Sequence, residues 1–172
     1  MHYLDLACRA LLTTVFVVAV AGKVRPAAFA AFTGSLRPIR WIPRHARRPL
    51  AAATVLAEAT SVVLLWIPPA VPAGYLLSAL TLAAFTATLA VNLRQGATLR
   101  CRCFGYDAGP VRGSHIARNL VLVAVAALGL VAAVTADPAA TVAAVAIALA
   151  AGAVAGLLVT RWDDLAYVLG GS

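Results

Sequence analysis

Long apolar runs broken by short basic or proline-rich stretches organise this chain. A helix needs about 20 mostly apolar residues to cross a hydrocarbon layer roughly 30 Å thick. Five stretches meet that requirement: Tyr3 to Gly22, Pro49 to Ile67, Val71 to Leu93, Asn119 to Ala136 and Ala139 to Thr160. Pro68, Pro69 and Pro72 separate the second from the third, and Asp137-Pro138 separates the fourth from the fifth, because proline ends a helix and cannot continue it. Both connections are short, so each pair is expected to form an antiparallel hairpin. Trp66 and Trp162 stand at segment ends, where amphipathic rings anchor a helix at the interface. The pattern predicts an all-α integral membrane bundle.

Two segments have features of their own. In the first, Asp5 and Arg9 lie four apart and share a helix face, where they partly neutralise each other. An alternative for this segment is a cleaved signal peptide, with Arg9, the apolar run Ala10 to Val20 and the small residues Ala19-Val20-Ala21. The retained helix is preferred, because Asp5 weakens the basic character of the region before the run. In the fifth, Ala148, Gly152 and Gly156 follow the small-xxx-small spacing that lets helix backbones approach closely in lipid. The tail from Arg161 to Ser172 reads as a short interfacial helix or frayed end.

Composition turns this pattern into a class. Hydrophobic residues make up 63% of the 172 and charged residues 12%, against roughly 45–50% and 25% in soluble domains; the mean hydropathy is +0.93. Too little polar surface is available to cover a water-soluble domain of this size, which excludes a soluble enzyme, a disordered chain and a disulfide-stapled secreted domain. The net charge of +8 does not point to nucleic acid. Its basic residues cluster in the breaks between apolar runs, with no stripe of stacking aromatics between them. The partner they fit is the lipid bilayer and its anionic headgroups. Lys23, Arg25, Arg37, Arg40, Arg44, Arg47 and Arg48 precede the second segment, and Arg94, Arg100, Arg102, Arg112 and Arg118 lie around the break before the fourth. Both breaks fall on one side of the membrane, so the positive-inside rule predicts a multi-pass cell-membrane protein with these loops in the cytoplasm and its N-terminus outside.

Few residues are left to carry chemistry. Cys101 and Cys103 flank Arg102 just after the third segment, in a polar stretch that also holds Arg100 and Arg112. A pair so close can hold a soft metal ion or close a strained, easily reduced disulfide, and the basic setting favours the reactive thiolate. Buried cysteines pack as small hydrophobes, but a polar loop gives them no such role. Cys8 lies on the opposite side of the membrane and reads as a core residue. Glu58 is the only charged residue between Pro49 and Leu93. Midway along its segment it sits roughly 13 Å from either end, near the bilayer midplane. A carboxylate there marks a functional group or one hydrogen-bonded to a neighbour, through Ser61 or a threonine of another segment, and either role turns it to the bundle interior. Arg118-Asn119 opens the fourth segment, with Ser114 as a candidate N-cap. Arg118 either snorkels or holds an anion near the thiols; His115 is a weaker candidate for a proton partner. No zinc-binding spacing, phosphate loop or Ser/His/Asp set occurs.

Taken together, Ala21-Gly22-Lys23 closing the first segment, Glu58 in the second, Cys101-Arg-Cys-Phe-Gly105 after the third and Arg118-Asn119 opening the fourth resemble the MauE family of methylamine-utilisation membrane proteins, related to the DoxX group. The resemblance covers roughly residues 1–136. It implies four core transmembrane helices in a domain over 1–136, with 137–172 adding a fifth C-terminal helix and a short tail. It also implies a role in maturing the disulfide-rich small subunit of methylamine dehydrogenase beside a thioredoxin-like partner. Cys101, Cys103 and Glu58 would then be catalytic, and Lys23, Arg118 and Asn119 binding residues, with no metal ligand. More distantly, a membrane bundle with a thiol pair before its last core helix is similar to vitamin K epoxide reductase and DsbB, which makes a quinone the candidate cofactor. Two departures limit that likeness: those proteins carry a second cysteine pair, and their thiols act on the outer face.

The expected function is therefore thiol–disulfide redox or maturation of partner proteins, with thiol–disulfide oxidoreductase as the candidate enzyme class. The alternatives are a Cu(I)-like soft-metal binding or transport protein, which would lack Met-rich or further Cys sites along its helices, and a non-catalytic membrane scaffold.

Overall fold

The computed structural model describes residues 1–39, 41–94, 113–135 and 141–162. Among them are helices α1 (His2–Ala21), α2 (Pro26–Ser35), α3 (Arg47–Leu64), α4 (Val71–Arg94), α5 (Gly113–Val134) and α6 (Val142–Thr160), with short 3-10 turns leading into α3 and α4. No strand occurs among the described residues, as the hydrophobic pattern requires. Four helical stretches have the length and apolarity of a membrane span: His2–Ala21, Pro68–Arg94, Gly113–Val134 and Val142–Thr160.

The second expected span departs from that pattern. It is helical, but as the 18-residue α3 it starts at Arg47 and so brings Arg47 and Arg48 into the same helix as Glu58. Its register against α1 explains the difference. Trp66, just past the end of α3, donates its Nε1–H to Thr13 Oγ1 at 2.9 Å, midway along α1, while Glu58 pairs with Lys23 beyond the end of α1. The first half of α3 therefore runs past the end of α1. Glu58 is not midway through the bundle, as its place in the apolar run suggested. It lies within one lysine side chain of the end of α1.

Two other boundaries moved. The break from 23 to 48, expected to be a loop, contains α2, which starts with Pro26 at its first position after an extended Arg25; proline's fixed φ suits that position. α5 begins at Gly113, before Asn119, so Ser114 lies inside its first turn and is no N-cap.

α1, α3, α4 and α5 close a ring in which α1 packs on α3 and α5, and α4 packs on the same two. The core inside it is formed by Cys8, Leu12, Val15 and Phe16 of α1, Leu65, Tyr75 and Leu82, and Leu122 and Ala126 of α5. Cys8 is buried there with its thiol unbridged, as expected of a core residue. α6 has α1 as its main neighbour. A Cβ on Gly152 would stand 2.2 Å from the Ala7 carbonyl oxygen, and one on Gly156 would stand 2.8 Å from that of Leu11. Ala148 is buried on the same face, so the small-residue stripe is the seam by which α6 runs parallel to α1.

Candidate functional site

At the end of the bundle where α1 stops, the chain buries an ion pair. Lys23 is 0% and Glu58 2% exposed, and Lys23 Nζ donates to Glu58 Oε1 at 2.5 Å. The ammonium also lies 5.1 Å from the ring centroid of Phe32 on α2 and 5.7 Å from that of Phe85 on α4, so ring faces supply part of the solvation that water would have given it. Glu58 Oε2 is buried and has no hydrogen-bond partner among the described residues. Ser61, an expected partner of Glu58, instead donates to the carbonyl of Ala57. Glu58 does face the interior, but its partner is a cation from the end of α1, where the sequence suggested a hydroxyl. Lys23 is correspondingly no solvated loop charge, although the basic excess of that side survives without it.

Other buried polar residues sit toward the same end. Asn92 lies in the last turn of α4 and donates to Thr88 O at 2.7 Å. On α5, His115, Arg118, Asn119, Leu122, Ala126 and Gly129 are buried, a helical stripe that turns the two polar opening turns inward. Arg118 is 2% and Asn119 4% exposed, so Arg118 does not snorkel to the surface. Lys23 and Glu58 are brought into contact, whereas Arg118 and Asn119 share their end of the bundle on another helix. Cys101 and Cys103 lie outside the described residues; their segment leaves α4 after Arg94 and enters α5 at Gly113, both at this end.

The opposite end holds a second polar cluster. Asp5 is fully buried and takes a charge-assisted pair from Arg9, whose Nε–H lies 2.9 Å from Oδ1. The shared helix face had suggested that pairing. Tyr75 completes the cluster and was not singled out in the sequence: its hydroxyl lies 2.9 Å from Asp5 Oδ1 and 3.0 Å from the Asp5 carbonyl oxygen. Its ring lies where a Cβ on Gly129 would be, 2.3 Å away. A lone tyrosine in an apolar run carries no signal of its own; the clue was Asp5, a buried carboxylate that takes Arg9 on both oxygens and still accepts a further donor at Oδ1. Tyr75→Phe removes that donor and is expected to destabilise the protein by about 1–3 kcal/mol. Thermal unfolding in detergent measures it, and an unchanged melting temperature would mean that Arg9 alone satisfies Asp5.

Long apolar helices with a buried lysine–glutamate pair at one end of their bundle define a multi-pass helical membrane protein. Residues 1–132 match the family described as methylamine utilisation protein MauE, and the chain belongs to that family. The methylamine utilization protein MauE of Paracoccus denitrificans is 39% identical over 137 residues, which cover 76% of this chain and 72% of that protein. No solved structure matches the chain.

Proposed function

We propose that this chain is a MauE-type membrane factor that matures partner proteins by thiol–disulfide exchange, with Cys101 and Cys103 as the exchanging pair. The observation that carries the reading is the buried Lys23–Glu58 pair. It sits at the end of the bundle from which the cysteine-bearing segment departs, and it has one carboxylate oxygen to spare. Ionisable groups inside a membrane bundle mark functional sites by default.

The exchange runs in two half-reactions. A thiolate of a thioredoxin-like partner attacks the Cys101–Cys103 disulfide and forms a mixed disulfide. The partner's second thiolate resolves it, which leaves the partner oxidised and Cys101 and Cys103 as two thiols. Reoxidation passes two electrons and two protons from these thiols to an acceptor of the quinone class and restores their disulfide. Glu58 takes up and releases one of those protons at Oε2, while Lys23 holds Oε1; Arg118 and Asn119 line the approach from α5. Residues 1–136 form the working unit, and α6 is an accessory helix held by α1. The relative's name places that protein in methylamine utilisation, and the same pathway is the first in which to look for this chain's partner. The charge asymmetry supports a cytoplasmic face for the thiols in the cell membrane.

Alkylation of the purified protein before and after mild reductant, read by mass spectrometry, is expected to show Cys101 and Cys103 gaining two labels together, with Cys8→Ala making no difference. Thiols that stay free under oxidising conditions while Cu(I) binds stoichiometrically would replace redox exchange by metal handling. A membrane-impermeant thiol reagent applied to intact cells tests the orientation: labelling of Cys103 from outside would reverse it.

A further inference from the structure

Beyond the end of α1, positive charge accumulates, with no acidic side chain among the described residues that line this region. A cavity of about 840 Å³ opens between α2, which contributes Phe29, and the stretch leading into α3, which contributes Arg37, Arg44, His45, Arg47 and Arg48. No Asp or Glu occurs between Asp5 and Glu58, and Glu58 is already taken by Lys23. Arg47 and Arg48 form the first turn of α3, and the preceding Ala46 offers no side-chain oxygen to cap it. A helix start presents free N–H groups and the positive end of the dipole, so cations are disfavoured there and anions favoured. Arg47 Nη2 donates to the Arg37 carbonyl oxygen at 3.3 Å, yet its Nε is buried and has no hydrogen-bond partner. Like charges, a positive helix end and an unsatisfied guanidinium N–H all ask for the same thing, an anion with several oxygens.

The surroundings select its source. Arg47 precedes Glu58 by eleven residues, roughly 16 Å of helix, and Glu58 already lies near the end of α1. That puts these arginines past the apolar end of the bundle, on the side where headgroups and water begin. Val24, Trp41 and Leu50 are exposed around the same segment, and apolar and aromatic side chains beside arginines are the mixture found at a bilayer interface.

We propose that this cavity binds the phosphate of an anionic phospholipid, with the guanidinium groups of Arg37, Arg44, Arg47 and Arg48 and the start of α3 around the phosphate oxygens. Guanidinium suits such a ligand, because its fixed donors match two phosphate oxygens at once.

The full chain in phosphatidylcholine nanodiscs containing a minor fraction of phosphatidylglycerol tests this, with retained lipid counted by native mass spectrometry. Wild type is expected to retain phosphatidylglycerol over phosphatidylcholine. The pair Arg44→Gln/Arg48→Gln, both exposed, should weaken that retention about thirty-fold. The pair Arg25→Gln/Arg94→Gln removes the same charge outside the cavity and should weaken it little, and Arg37→Gln alone should act in the direction of the first pair. Equal losses from both pairs would overturn the site in favour of diffuse attraction. Release of the lipid by millimolar inorganic phosphate would overturn the lipid in favour of a soluble phosphate ligand, and no preference in wild type would overturn both.

Discussion

Replacing Lys23 with Met should destabilise the folded bundle by about 3–5 kcal/mol, and Glu58→Gln should do nearly as much, because each leaves one charge buried without its partner. The double variant Lys23→Met/Glu58→Leu should recover most of that loss, since an apolar pair of similar volume avoids the desolvation of both ions. Equilibrium unfolding of the protein in mixed micelles gives the three values. Single variants as stable as wild type would show that water reaches the pair despite its burial. The pairing also changes how the proposed proton role is tested. Gln keeps the shape of Glu58 but strands the Lys23 ammonium, so lost activity in Glu58→Gln alone would have two explanations. Lys23→Met/Glu58→Gln carries no stranded charge and has no titratable group. If that protein folds and still oxidises its partner, Glu58 does not relay a proton; if it folds and fails, the relay stands.

Gly152→Leu should be nearly as damaging, by about 3 kcal/mol, the upper end of the usual penalty for overfilling a packed site. The added Cβ would meet the Ala7 carbonyl oxygen at 2.2 Å and the Ala10 Cβ at 2.9 Å, and a backbone oxygen cannot rotate away. α6 would have to move off α1. Gly34→Ala is the control, since nothing lies within 4 Å of a Cβ there. Thermal melts read the loss, and a crosslink engineered between α1 and α6 that still forms in the leucine variant would show that the seam can yield.

The all-α class, the spans at α1, α4, α5 and α6, the α1–α6 seam and the inward face of Glu58 were legible in the sequence, because each follows from apolar length or from helical spacing. What was not legible depends on contacts between distant segments. α3 looked like a full span because Pro49 to Ile67 is apolar enough; only its register against α1, fixed by Trp66 with Thr13 and Lys23 with Glu58, shows that it slides past the end of its neighbour. The lysine partner could have been suspected, since Glu58 is the sole acid between residues 6 and 106 and Lys23 follows immediately on an apolar helix. Charge counting assigned that lysine to the loop, because a positive-inside tally treats every cation as solvated. α2 was missed because ten residues cannot cross a bilayer, and a pattern scanned for spans passes over a helix that only covers the end of one.

The long-range polar ties of α1 impose an order in time. Lys23 leaves the ribosome 35 residues ahead of Glu58, and Asp5 leaves 70 ahead of Tyr75. At about 5–20 residues per second, those gaps are roughly 2–7 s and 4–14 s of synthesis. During the first interval Lys23 has no carboxylate to meet, so its ammonium must wait in the headgroup layer. It can enter the bundle only after α3 has arrived. The nascent first helix is thus held at the surface by the lysine that later locks it in place, and its final depth is decided by a residue the cell has not yet made.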